Sequence, residues 1–135
     1  MQDRPDTREL LATLGDYLEG ELMPALEGPL NYRTRVALNL CRILEREVRL
    51  GNSFLLRERQ RLCRLLGLGP EDLLPGALQD QVEDLNQQLA TDLARDVLPA
   101  GFEASAWDAL MATTRDKLAI VRPGYDRYDA AEESL

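Results

Sequence analysis

The sequence predicts an all-α protein: a single-domain bundle of about five helices over residues 1–125, with a short extra helical turn near 70–74. Three observations carry that prediction. Apolar residues recur at three- and four-residue spacing in five successive stretches, and no stretch alternates with period two. Aromatic residues make up 5% of the 135 residues, so leucine and alanine must fill the core, which suits helices better than sheets. Most of the nine glycines and seven prolines sit at the ends of the periodic stretches, as bundle punctuation would place them.

The first helix opens at Asp6, which has capping-box spacing to Glu9 and follows Pro5. Leu10, Leu14, Tyr17 and Leu18 form its apolar stripe, widened by Leu11 and Leu22, and Pro24 ends or kinks it. "MPALEGPLN" reads as an ordered connection. A second helix runs from about Asn31 to Leu50, with Gly51 as its stop. Its stripe is Val36, Leu40, Ile43 and Leu44, flanked by Tyr32, Ala37 and Val48, with Glu47 projecting into the middle. Asn52 and Ser53 are caps for a third helix carrying Leu55, Leu62, Leu65 and Leu66, closed by Gly67.

"GPEDLLPG" places a proline and two acids where a single helical turn starts. The fourth helix, about Gly76 to Leu98, carries Leu78, Val82, Leu85, Leu89 and Leu93, and ends at Pro99 and Gly101. Ser105 and Asp108 have the spacing of a second capping box, opening a fifth helix. Its core face is Trp107, Leu110, Met111, Thr114, Leu118 and Val121, and Pro123 stops it. The acidic tail 126–135 is expected to be frayed.

Composition excludes several chemistries. The chain has no histidine, which removes a His-assisted serine or cysteine nucleophile, a Cys/His zinc site and the Glu-plus-His di-metal cage of helical bundles. Cys41 and Cys63 lack ligand-like spacing and are expected to be reduced helix residues. The start shows no secretory pattern, and no apolar run approaches the ~20 residues that span a bilayer, so the cytoplasm is the expected location.

The net charge of −8 is unevenly spread. Residues 1–30 hold two basic and seven acidic groups (−5), residues 31–66 nine and three (+6), and residues 67–135 five and fourteen (−9). Such a field repels phosphate backbones, so no nucleic-acid partner is expected, and no membrane partner either. The basic segment can bind a small anion or an acidic partner, or pair with acids of its own bundle.

Within that segment Arg35, Arg42, Arg46 and Arg49 share one helix face, with Asn39 beside it. They can grip phosphate or carboxylate bidentately, or form a solvated face laced to the acidic helices. Glu47, on an apolar stripe, must pair, accept hydrogen bonds or become protonated; pairing with an arginine of its own bundle or a place at a frayed edge near Gly51 is expected. Lys117 is the single lysine of the chain. Its neighbours one turn away are Thr113, Thr114, Ile120 and Val121, and adjacent Asp116 points about 100° away. Its charge partner is therefore expected from another chain, with packing beside the fifth helix as the alternative.

The segments "MQDRP", "ELMPALEG" (21–28), "RVALN" (35–39), "LEREVRLG" (44–51), "DLN" (84–86) and "RDKLAIVRPGY" (115–125) carry a resemblance. Together they resemble a small bacterial all-helical family whose genes lie beside aminoglycoside-phosphotransferase-like kinases and acyl-CoA dehydrogenases. The family is similar to the small subunit of the two-part hydroxyacyl-CoA kinase of levulinate-type catabolism. The resemblance implies a non-catalytic accessory subunit, with a phosphotransferase-like kinase as partner and ATP and the catalytic acids on that partner.

Matching positions are Arg35, Asn39, Glu47, Arg115, Asp116, Lys117, Pro123 and Tyr125, while Arg122 stands where the family pattern has asparagine. With the arginine face, the expected partner- or ligand-binding residues are Arg35, Asn39, Arg42, Arg46, Arg115, Lys117 and Tyr125. No catalytic residue, metal or cofactor is expected of this chain. Acyl-CoA is a further candidate ligand, and a homo-oligomer is compatible with the pattern. The alternative reading is a stand-alone module that binds CoA or another small anion.

Overall fold

The fold is all-α. A computed structural model describes residues 3–125, so the predicted acidic tail lies outside the described residues. Four helices exceed ten residues among the described residues: α1 (Thr7–Tyr17), α3 (Gly28–Leu66), α4 (Leu78–Leu93) and α5 (Phe102–Val121). A π-helical turn (Leu18–Leu22) and a short α2 (Met23–Ala25) follow α1, and Pro70–Asp72 form the predicted extra turn as a 3₁₀ helix. The chain divides between Asn52 and Ser53 into two compact units, described separately below.

The predicted second and third helices are one helix. Gly51 has no positive φ and continues the backbone ladder, so Asn52 and Ser53 lie inside α3 instead of capping a new helix. Gly51 is buried, and the carboxylate of Glu47 folds back over it. A glycine costs a helix interior only about 1 kcal/mol, which a 39-residue helix absorbs. The real stop is Gly67, at φ +69, where the Leu68 N–H donates to the Cys63 carbonyl at 2.9 Å in a Schellman-type turn.

In the first unit α1 begins with the predicted capping box. Asp6 Oδ1 accepts from the Glu9 N–H, and the Glu9 carboxylate accepts from the Asp6 N–H, both at 2.8 Å. Asn31 Nδ2 donates to the carbonyls of Met23 and Leu26, which ties the predicted connection to the start of α3.

Helix α1 meets α3 through charge and close approach. Arg42 reaches Asp16 and Glu19 at 3.0 Å each, and Arg8 lies 3.7 Å from Glu45. Gly15 makes room for the guanidinium here, because a Cβ would stand 2.8 Å from Arg42 Nη1 and the arginine would have to shift. The α3 face turned to α1 thus carries Thr34, Cys41, Arg42 and Glu45, with Thr34 and Cys41 buried. The predicted core stripe points elsewhere. Val36, Leu40, Leu44 and Val48 are exposed, as are Leu10, Leu14 and Tyr17 of α1, while Leu11, Leu18 and Leu22 are half-buried. Periodicity located the stripe, but ion pairing and the small Gly15 contact chose the face that packs.

In the second unit the core is Leu62 of α3, Val82, Leu85 and Leu89 of α4 and Ala106 of α5, with Leu55, Leu65, Leu93 and Phe102 packed around them. Helix α4 buries its predicted stripe but ends at Leu93, before the predicted Leu98. Helix α5 starts at Phe102, three residues before the predicted capping box, with Gly101 at φ +79 as its N-cap. Ser105 is therefore a helix-interior residue.

Helix α5 also turns inward a face that the sequence reading did not choose. Ala106, Thr113 and Ile120, spaced seven apart, are buried, whereas Trp107, Leu110, Met111, Thr114 and Val121 are exposed and Leu118 is half-buried. The reason is polar: α3 presents Glu58 and Arg61, and α5 answers with Lys117, Thr113 and Asp116. Small Ala106 and Thr113 permit the close approach that those pairs need. Cys41 is buried, Cys63 is half-buried, and both are free thiols. Among the described residues, no helix is long and apolar enough to cross a membrane.

Candidate functional site

Glu58 is the least expected residue of the second unit. It lies on α3 in "RERQR" and is 5% exposed, a charge where a helix buries its apolar face. Burying an isolated carboxylate costs several kcal/mol, so partners must be found locally. Asn86 of α4 donates from Nδ2 to Glu58 Oε1 at 3.0 Å, and the same Nδ2 donates to the Val82 carbonyl at 3.1 Å. Lys117 of α5 brings Nζ to 3.7 Å from Glu58 Oε1. Three helices are thus pinned at one carboxylate.

One turn along α3, Arg61 donates to Thr113 Oγ1 at 3.2 Å and to Asp116 Oδ2 at 2.8 Å. Arg57 lies 3.8 Å from the other Asp116 oxygen and stacks over the Phe54 ring at 5.3 Å. Arg59, on another side of the helix, donates to Gln81 of α4 at 2.6 Å. Arg57 and Arg61 thus share Asp116, while Glu58 and Arg59 between them serve other neighbours.

Lys117 has a charge partner that the sequence reading did not find, Glu58 of its own chain, across α3–α5. Sequence spacing tests only residues one turn away, and Glu58 is 59 positions upstream. Asp116 does point away from Lys117, to Arg61, as the helix geometry required.

The other predicted site residues are placed as follows. In the first unit, Arg42 is committed to Asp16 and Glu19, whose hydrogen bonds raise its pKa above the ordinary guanidinium value. Arg35 and Asn39 are exposed, and among the described residues neither has a hydrogen-bond or ion-pair partner; Arg46 is half-buried and partnered. Glu47 is exposed, so the expected buried acid of the apolar stripe is a surface group. In the second unit, Arg115 is exposed and lies about 200° around α5 from Lys117, so the two do not form one site. Tyr125 is exposed, with the Arg122 guanidinium 5.3 Å above its ring.

Sequence reasoning missed Glu58, Asn86 and Arg61. The signal that could have found Glu58 is its position: at 100° per residue it lies between Leu62 and Leu65 on the third predicted stripe.

Two open clefts flank the N-terminal end of α5. One, of about 610 Å³, is lined by Arg61, Arg64, Phe102, Ser105, Asp108 and neighbouring small residues. The other, of about 750 Å³, is lined by Leu93, Leu98, Pro99, Glu103, Trp107 and Leu110 among others. Trp107, 66% exposed, forms part of its wall and continues into the open stripe of α5. Chemically, the second unit offers an apolar, Trp-centred surface beside a satisfied polar cluster.

Comparison with known proteins gives one family. The sequence pattern described as "Domain of unknown function (DUF6285)" matches residues 24–125, which include α3, α4 and α5 whole. No curated protein and no solved structure matches the chain.

Proposed function

The chain belongs to the DUF6285 family, and on that footing we propose that it is a non-catalytic accessory subunit that binds and supports a phosphotransferase-like kinase acting on hydroxyacyl-CoA. The observation that carries the accessory role is the open stripe of α5. Trp107, Leu110, Met111 and Val121 form a face that a folded chain gains by covering, and tryptophan is the residue type most enriched at interface hot spots. The identity of the partner rests on the sequence resemblance of segments 21–28, 35–39, 44–51 and 115–125 to the small subunit of a two-part kinase.

In this reading α5 docks on the kinase through Trp107 and its neighbours. Arg115, exposed and without an ion-pair partner among the described residues, supplies a charge at the rim. The Glu58–Lys117 and Arg61–Asp116 pairs hold α5 at the angle that presents the stripe. ATP and the groups that move the phosphoryl would belong to the partner.

A second reading, a module that binds CoA or another small anion, has the cleft beside Arg61 and Arg64 in its favour. One experiment separates the two. The chain is co-expressed with the phosphotransferase-like kinase, co-purified, and the kinase assayed on hydroxyacyl-CoA with and without it. The accessory reading expects a stable complex and turnover that depends on the chain. CoA binding to the isolated chain, with no complex and no effect on turnover, supports the module instead.

A further inference from the structure

The open stripe of α3 in the first unit has a symmetry that the α5 stripe lacks. Tyr32, Val36, Leu40, Leu44 and Val48 form an unbroken row at four-residue spacing, all exposed, with Leu40 at its centre. Charges of opposite sign stand seven residues on either side of that centre, Arg33 before it and Glu47 after it. On a helical wheel Arg33, Leu40 and Glu47 fall within about 40° of one another. Both charges are exposed, and among the described residues neither has a hydrogen-bond or ion-pair partner. The face turned to α1 lies elsewhere on the helix, at Thr34, Cys41, Arg42 and Glu45.

We propose that this row is the contact between two copies of the chain, crossing antiparallel about a two-fold axis at Leu40. A two-fold contact must be self-complementary: residue i of one copy meets residue j of the other, and j meets i. With the axis at Leu40, Leu40 meets its counterpart, Val36 meets Leu44 and Tyr32 meets Val48. Arg33 of each copy then faces Glu47 of the other, so the dimer holds two such pairs and each charge gains one opposite. A parallel arrangement would set Arg33 beside Arg33 and Glu47 beside Glu47. Rows at four-residue spacing pack on each other at a crossing angle of about −50°, with the closest approach at Leu40. The arrangement uses residues of the first unit alone.

The test is sedimentation of the purified full chain across a concentration series, without kinase, so that it reports on this contact independently of the proposed partner. The wild type is expected to dimerise, and Leu40→Asp to raise the dimer dissociation constant by about tenfold or more with helix content unchanged. Arg33→Glu and Glu47→Arg should each weaken the dimer. The two substitutions combined in one chain, or the two single variants mixed, should restore it, because every facing pair is again of opposite sign. That restoration is a readout that a loss of folding cannot imitate. A wild type that stays monomeric overturns the proposal, including the case where stripe variants instead lose kinase binding. A dimer indifferent to Leu40→Asp, or one not restored by the charge exchange, also overturns it.

Discussion

Lys117 Nζ stands 3.7 Å from Glu58 Oε1, joining a side chain 68% exposed to one 7% exposed. The pair is asymmetric: the lysine sits at the rim in contact with water, and the carboxylate lies beneath it. Removing the ammonium leaves Glu58 with Asn86 as its hydrogen-bond donor in a dry setting. Lys117→Met should therefore cost about 1–2 kcal/mol of stability, less than a fully buried pair because the lysine is solvated. Lys117→Arg keeps the charge at an open rim and should stay within about 0.5 kcal/mol of wild type. Urea unfolding of the two variants checks this, and equal losses for both would show that the site needs a compact ammonium.

Arg61 and Asp116 should be coupled more strongly than Arg57 and Asp116. The first pair is 2.8 Å apart and mostly sheltered, and the second is 3.8 Å apart with Arg57 58% exposed. Double-mutant cycles with alanine are expected to give about 1–2 kcal/mol for Arg61–Asp116 and under about 0.5 kcal/mol for Arg57–Asp116. Reversed magnitudes would mean that α5 is held differently.

The two capping-box spacings have different fates, and mutation should show it. Asp6→Ala removes a hydrogen-bonded cap and should cost about 1 kcal/mol. Ser105→Ala, inside α5, should be neutral or slightly stabilising, since alanine is the better helix former. A cost at Ser105 equal to that at Asp6 would contradict the Phe102 start of α5.

How much of this was legible in the sequence differs by residue. The helical class, the Asp6–Glu9 cap, the turn at Pro70, the Gly67 stop and the buried stripe of α4 follow from local spacing, and local rules found them. The faces of α3 and α5 did not follow. Amphipathic periodicity shows where apolar residues gather, and it assumes that the apolar face packs inward. Here Gly15 against Arg42, and Glu58 and Arg61 against α5, fix packing through small and charged residues instead. Gly51 misled for a related reason: a glycine ends a helix through a positive φ, and that is set by tertiary context. Lys117 stood out by its rarity, but its partner 59 residues upstream lay beyond any local rule.

Leu85 and Trp107, both placed in the core by periodicity, should respond differently to truncation. Leu85→Ala, in the α4 core, should cost about 2–5 kcal/mol. Trp107→Ala, placed by periodicity in the core and by the structure on the surface, should change stability by no more than about 0.5 kcal/mol. Thermal or urea unfolding decides between the two placements.

The most direct measurement of the central claim is titration of the phosphotransferase-like kinase with the wild-type chain and with Trp107→Ala, reading both affinity and hydroxyacyl-CoA phosphorylation. The wild type should bind and activate. Trp107→Ala, folded with wild-type stability, should bind at least about tenfold more weakly and activate in proportion to the complex formed. Equal binding and activation by the two chains, or phosphorylation by this chain in the absence of the kinase, would contradict the claim.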